Sequence, residues 1–417
     1  MNVIHVKESG PLNGEVRVQG SKNAVLPILA ASILINGVCV LENCPRISDV
    51  DCMLRLLRSM GCSAEWEDEK LIIDTSAICE SRLPKELVTC MRSSVMLLGP
   101  LLAICKETIM NYPGGCVIGE RPIDIHLHIL EKMGASFVLG ADSIRGTARE
   151  LIGTEVTLRF PSVGATENGI LAAVLAKGRT ILNNCAKEPE IQELCRFLNE
   201  AGADIKDVGS SRLIIDGVDR LHSVRFSVEA DRIVAGTYLL SAAALGGNIC
   251  LRNAPVAVME STIHAGRLLG CEIDAATDEL WVCQRNRPSA ISYIQTLVYP
   301  GFPTDLQSVL LTVLSVSEGE SVIEETIFSD RFRIVNALVR MGADIRIEEN
   351  RACVRGVQKL NGRSAAAEDL RGGAALVLAG LLAKGDTFIS NCYYIERGYE
   401  NICRDFRLLG AYIEGIG

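Results

Sequence analysis

The sequence lacks several things, and each absence removes a class of function. It has no excess of positive charge: 42 Lys and Arg against 51 Asp and Glu leave a formal net charge of −9. That balance is unsuited to general binding of nucleic acid or of an anionic membrane, so an anionic ligand must be held by a local cluster of cations. No long hydrophobic run is present either. The most apolar stretches, such as Ser93–Cys105 and Leu239–Leu245, are too short to span a bilayer. The opening MNVIHVKESG has no basic segment followed by an apolar core, so no signal peptide is expected. Cysteine is not scarce, with 16 in 417 residues, but no C-x-x-C pair occurs. This disfavours a zinc site or a disulfide scaffold and points to a reducing, cytoplasmic location. No metal and no cofactor is expected.

What the chain does have is repetition. A string of the form hydrophobic–Leu-x-x-x-Gly–small–x–hydrophobic recurs as RSMGCSA, EKMGASF, NEAGADI, RLLGCEI, VRMGADI and RLLGAYI. Its glycines, Gly61, Gly134, Gly202, Gly270, Gly342 and Gly410, are 73, 68, 68, 72 and 68 residues apart. A second string keeps step with it: INGVCVLEN, CKETIMNY, AKGRTILNN, LGGNICLRN, SEGESVIEE and AKGDTFISN. Two independent markers in register over six copies define six repeats of about 70 residues.

Each repeat reads as β-α-β-α-β-β. A short alternating strand such as EVRVQ leads to a helix such as AVLPILAASIL and then to a strand such as VCVLE. An amphipathic helix follows and ends at the marker glycine, a C′ position. Two short strands such as SAEWE and KLIID close the repeat. The first helix is apolar on nearly all sides and should be buried. A chain of 417 residues is too long for one simple core, and six repeats divide into two domains of three. Neither terminal repeat has the polar cap of an open solenoid.

The starts of these apolar helices read SKNAV, CMRSSV, SVGATEN, EADRIVAG, FPTDLQS and EDLRGGA. Ser21, Ser162, Thr304, Asp305 and Asp369 are ordinary N-cap types, and capping alone accounts for any one of them. The cations are different. Lys22, Arg92, Arg232 and Arg371 sit where the helix dipole is unfavourable to them, which suggests an anion or carboxylate partners at these amide-rich ends. Arg232 and Arg371 each have an Asp close by in sequence that could pair with them. Lys22 and Arg92 have none, which makes them the stronger candidates for a phosphate or carboxylate.

One loop breaks the pattern. The link from second strand to second helix is ENCPRISDV in the first repeat and NNCAKEPEI in the third, but NYPGGCVIGERPIDI in the second. An insertion confined to one repeat points to function, because the others show what the fold needs. Gly114, Gly115 and Gly119 permit motion, and Pro122 suits position N1 of the next helix. Cys116 lies shortly before that helix with Arg121 close in sequence, and both features lower a thiol pKa. Most other cysteines, such as Cys39 and Cys250 within strands, read as inert core residues.

Ser21-Lys22-Asn23-Ala24, Met91-Arg92-Ser93-Ser94, Pro113-Gly114-Gly115-Cys116 to Arg121-Pro122, Pro161 to Thr166, Asp231-Arg232-Ile233, Gly301 to Asp305, Asp369-Leu370-Arg371 and Arg397-Gly398-Tyr399-Glu400 together carry a resemblance. They run the length of the chain and resemble the enolpyruvyl transferase family, in its branch acting on UDP-N-acetylglucosamine. The Cys116 loop and the Phe302-Pro303-Thr304-Asp305 motif separate that branch from its shikimate-pathway sister.

The resemblance implies an inside-out α/β barrel in two domains, each of three repeats with pseudo-threefold symmetry. The first domain would span 22–229 and the second 1–21 with 230–417, with the site in the cleft between them. It implies transfer of the enolpyruvyl group of phosphoenolpyruvate to the sugar 3′-hydroxyl with release of phosphate, the first committed step of peptidoglycan synthesis. Cys116 and Asp305 would be acid and base, and Lys22 and Arg397 would complete the catalytic set. Lys22, Asn23, Arg121 and Arg397 would bind phosphoenolpyruvate. Arg92, Arg121, Pro122, Ile123, Asp124, Ile125, Ser162, Val163, Gly164, Asp305 and Ile327 would bind UDP-N-acetylglucosamine. Asp231, Arg232, Arg331, Asp369 and Arg371 would support them. The chain is expected to act as a monomer on small molecules, without nucleic acid or membrane insertion. Ala230, Gly372, Tyr394 and Glu396 depart from the family pattern without removing a proposed catalytic group. Transfer to shikimate 3-phosphate and a non-catalytic sugar-nucleotide-binding paralogue are the alternatives.

Overall fold

The apolar helices form where the sequence places them, and all are largely buried. In the computed structural model, which describes residues 2–78, 80–114, 119 and 122–416, they are α1 (Lys22–Ser32), α2 (Leu98–Cys105), α3 (Val163–Ala173), α4 (Arg232–Leu245), α5 (Gln307–Leu314) and α6 (Leu370–Leu382). Every residue of α5 is buried, and in α6 only Leu382 is not. A helix apolar all round can satisfy itself only inside a core.

The chain divides into two compact units. One is built from residues 20–229 and the other from 1–19 with 230–417, apart from the short stretch around 115–121. Each has its own hydrophobic core. In the second unit α4, α5 and α6 pack on one another. In the first, α1 and α3 both pack on the 3-10 turn Arg92–Leu97 that leads into α2, and α3 also packs on α2.

Around these helices lie small sheets: five are four-stranded, mixed and of one recurring order, and that of the second repeat has three antiparallel strands among the described residues. In the fifth repeat, Glu320–Glu324 pairs in parallel with Ile294–Gln295 and antiparallel with Arg351–Arg355, which pairs with Asp344–Glu348. The marker glycines turn the chain at each second helix end, and all six have φ between 87 and 101°, a region that costs other residues energy.

The strand assignments differ from the sequence reading in two places. The strand before α1, Leu12–Arg17, does not join the first repeat's sheet but pairs with Gly247–Arg252 of the fourth. Leu221–Ser227 takes the corresponding place beside Ile35–Glu42 in the first. A period-two pattern fixes which face of a strand is buried, not which sheet receives it. In the sixth repeat the place of the final strand is filled from the other end of the sequence. Val3–Lys7 supplies it, lying between Asp386–Ser390 and Ile413–Ile416.

Candidate active site

The helix starts sort the repeats into two kinds. In four of them a side chain caps the helix, as its residue type predicts. Ser21 accepts from Ala24 N at 3.3 Å and Ser162 from Ala165 N at 3.4 Å. Asp231 accepts from Ile233 N and Val234 N, and Asp369 from Arg371 N and Gly372 N. The second and fifth repeats instead begin with a 3-10 turn, Arg92–Leu97 and Thr304–Leu306, and have no side-chain cap.

At the uncapped fifth start, Asp305 turns to two cations. Its Oδ1 accepts from Arg331 Nη2 at 2.6 Å and its Oδ2 from Arg371 Nη2 at 2.9 Å. Both arginines are buried, whereas the Asp305 side chain keeps 26% of its surface exposed, enough to meet a ligand. Burial works against the Arg371 charge, but Asp305, then Tyr399 and Asp231, outweigh it and raise its pKa. The adjacent Asp369 does not pair with Arg371 side chain to side chain; it is occupied as a cap. Arg232 lies over the Tyr299 ring, 5.7 Å from its centroid, and Asp231 caps.

Lys22 is not without an acid. Its Nζ lies 2.7 Å from Asp49 Oδ2, on the helix Ser48–Ser59, and both groups are buried. The partner lies 27 residues on, in the following helix, which is why inspection of adjacent residues missed it. Asn23 follows in the first turn of α1. Arg92 Nη2 donates to Pro122 O at 3.2 Å, so two residues proposed for one ligand meet. The helix after the inserted loop begins at Asp124, not at Pro122. Pro122 therefore lies outside the N1 position expected for it, with Ile123 as the cap residue, and Asp124 pairs with Arg159.

Val163 and Gly164 open α3, and Gly164 is there for close approach. A Cβ at Gly164 would come within 3.1 Å of His126 Cε1 and Met96 Cε. His126 is held by Asn168, whose Nδ2 donates to Val95 O at 2.7 Å and contacts His126 Nδ1 at 3.1 Å, while its Oδ1 accepts from Gly99 N. An amide that donates on that side leaves His126 Nδ1 as acceptor. Arg397 caps the short helix Tyr393–Glu396 and is half-buried. The buried Gln19 grips the chain just beyond it, donating to Gly398 O at 3.1 Å and accepting from Glu400 N at 2.8 Å. Ile327 N donates to Glu325 Oε1 at 2.8 Å. Cys116 and Arg121 lie outside the described residues. No disulfide joins two of the described cysteines, and burial pushes the Cys39 and Cys195 thiols up to about 12. No group of His, Cys, Asp and Glu able to hold a metal occurs among the described residues.

Asp49, Gln19 and Glu325 were not singled out in the sequence. For Glu325 the signal was present. The last letters of the six second-marker strings are Asn43, Tyr112, Asn184, Asn253, Glu325 and Asn391. The four asparagines have φ of 52 to 59°. Each donates from Nδ2 to a carbonyl just before a central helix: Val228, Leu158, Val18 and Ala367. The two exceptions fall in the second and fifth repeats, the two without a helix cap.

The family model for EPSP synthase (3-phosphoshikimate 1-carboxyvinyltransferase) matches residues 6–406. A UDP-N-acetylglucosamine 1-carboxyvinyltransferase 2 of Caldanaerobacter subterraneus subsp. tengcongensis is 45% identical over 405 residues, covering 97% of each chain. A UDP-N-acetylglucosamine 1-carboxyvinyltransferase of Finegoldia magna is 42% identical, covering 100% of this chain and 99% of its own. In structure the chain is similar to the enolpyruvyl transferase NikO of Streptomyces tendae, with a TM-score of 0.90 at 24% identity, covering 99% and 98% of the two chains. An EPSP synthase of Acinetobacter baumannii gives 0.77 at 18% identity, covering 99% of each. At those identities the structures establish the fold alone.

Proposed function

The chain belongs to the enolpyruvyl transferase family, and from that premise we propose that it transfers the enolpyruvyl group of phosphoenolpyruvate to the 3′-hydroxyl of UDP-N-acetylglucosamine, in peptidoglycan synthesis. The observation that carries this is identity of 42–45% over essentially the full length of relatives bearing that name. The sugar oxygen bonds to C2 of phosphoenolpyruvate while C3 gains a proton. The C2–O bond to phosphate then breaks, C3 gives up a proton, and a vinyl ether remains.

Asp305 is the base that takes the sugar hydroxyl proton; its carboxylate is partly exposed and held in one orientation by two buried guanidinium groups. Cys116 delivers the proton to C3 or adds to C2. Lys22, Asn23, Arg121 and Arg397 hold the phosphate and carboxylate of phosphoenolpyruvate, where charge shifts as the reaction proceeds. Arg92, the 121–125 segment, Ser162 to Gly164 and Ile327 take the sugar nucleotide. Asp231, Arg232, Arg331, Asp369 and Arg371 support them. The chain works as a monomer in the cytoplasm, and no helix among the described residues is long and apolar enough to cross a membrane.

The test is phosphate release from phosphoenolpyruvate with each acceptor in turn. Release with UDP-N-acetylglucosamine and none with shikimate 3-phosphate is expected. The reverse would overturn the reading, and binding of UDP-N-acetylglucosamine without any release would mark a non-catalytic paralogue.

A further inference from the structure

Glu325 stands where four of six repeats have a left-handed asparagine, and it does something different there. Its side chain is almost wholly buried, at 3% exposure. Oε1 accepts from the backbone N–H of Ile327 at 2.8 Å and of Phe328 at 3.1 Å. Oε2 accepts from Thr304 Oγ1 at 2.9 Å. The carboxylate therefore joins two segments, the 326–331 link and the turn that opens α5.

Those segments are also joined at their other ends. Arg331 Nε donates to Thr304 O at 3.3 Å, and Arg331 Nη2 donates to Asp305 at 2.6 Å. The result is a closed ring of bonds through Glu325, Thr304, Asp305 and Arg331. Thr304 is a capping residue type beside a helix start, yet its hydroxyl is spent on Glu325. With Thr304 held there and no cap formed, Asp305 is left to Arg331 and Arg371. An asparagine at 325 is one bond shorter and could not span all three donors.

We propose that Glu325 is a positioning residue of the transfer reaction: it fixes the 326–331 segment and the 303–305 turn as one piece and so sets where Asp305 and Ile327 meet the sugar nucleotide. The inference rests on the function proposed above. It assigns Glu325 no contact with substrate. Misplacing a reacting group by about 1 Å costs on the order of 100-fold, so a bond ring of this size is enough to matter.

The experiment compares the parent chain with Glu325→Asn, Glu325→Ala, Glu325→Gln and Thr304→Val, and with the Glu325→Ala/Thr304→Val double variant. It reads phosphate release against each substrate together with the melting temperature. Glu325→Asn, which installs the repeat's own residue, is expected to fold, to raise the KM for UDP-N-acetylglucosamine and to lower kcat, each by on the order of tenfold. The KM for phosphoenolpyruvate stays within about threefold. Glu325→Gln keeps an acceptor for both amides and recovers most of the loss seen in Glu325→Ala. Thr304→Val loses kcat in the same direction, and the double variant loses less than the product of its parts, as members of one unit do.

Folded Glu325→Asn and Thr304→Val variants with both constants within about twofold of the parent overturn the proposal. So does a loss that affects both substrates equally and follows the melting temperature. Should Glu325→Asn fail to fold, Thr304→Val decides alone. A parent chain that releases no phosphate with UDP-N-acetylglucosamine overturns the functional reading itself, which the variants alone cannot do.

Discussion

The second and fifth repeats differ from the other four in the same three ways. Each opens its central helix through a 3-10 turn, lacks a side-chain cap there, and replaces the left-handed asparagine after its second strand, by Tyr112 and Glu325. Each is the middle repeat of its unit. The four regular repeats show what the fold requires, so what the two irregular ones give up must be kept for another reason. In the fifth, the loss of a cap leaves Asp305 to two buried arginines. In the second, the place of the asparagine is the root of the Cys116 loop, where Tyr112 N bonds Asp142 O at 3.2 Å. Departure from an internal standard singles out, without reference to any relative, the two repeats that carry the proposed Asp305 and Cys116.

The most severe break of this contrast is at Asp305. Asp305→Asn keeps the shape and removes the charge, and kcat should fall by on the order of 10²- to 10⁴-fold, read by phosphate release. A parent-like kcat would mean that the uncapped start serves no reaction. The second repeat offers a labelling test of comparable force. An epoxide phosphonate should leave one adduct at Cys116 out of 16 cysteines, seen by peptide mass spectrometry, and adducts spread over several cysteines would place the loop among the ordinary turns.

A regular repeat should respond in the opposite way. Asn184→Ala loses the bond to Leu158 O and leaves at φ 57° a residue less tolerant of the left-handed region than asparagine. It should cost about 1–3 kcal/mol of stability by denaturant melting while kcat stays at the parent value. The smallest test concerns pH. In the regular third repeat, burial pushes the Glu193 carboxyl up to about 8 from 4.5, against the pull of the Glu229 N–H. A raised pKa stabilises the fold below about 4.5, and that stability is lost as pH rises toward about 8. Glu193→Gln should therefore gain melting temperature over the parent progressively across that window, and a constant difference would show that the group does not titrate there. Glu167 is shifted in the same direction, by burial first and then by Glu190 and Glu188.

Much of this was legible in the letters. The six-fold count, the buried helices and the left-handed marker glycines follow from period and composition, which act locally. Partners across sequence did not follow. Nothing near Lys22 announces Asp49, and nothing in the alternation of Leu12–Arg17 says that its sheet belongs to the fourth repeat. Arg371 shows the same limit from the other side: the acid nearest in sequence, Asp369, is consumed by a cap, and the ion pair goes to Asp305, 66 residues away. The asparagine rule lay between these cases, visible at the end of four of the six strings but meaningless until φ and a hydrogen bond gave it a purpose.

Val3–Lys7 completes a sheet whose other strands come from the far end of the chain, and His5 meets Asp386 across 381 residues. During synthesis at about 5–20 residues per second, this strand waits roughly 20–80 s for its partners. The 20–229 unit can close as soon as Leu221–Ser227 has emerged beside Ile35–Glu42. The other unit cannot, and in the interval Ile4 and Val6, later fully buried, are exposed on an unpaired strand. The nascent chain thus carries a folded unit behind an unsatisfied edge, the condition in which holding chaperones and premature edge pairing compete.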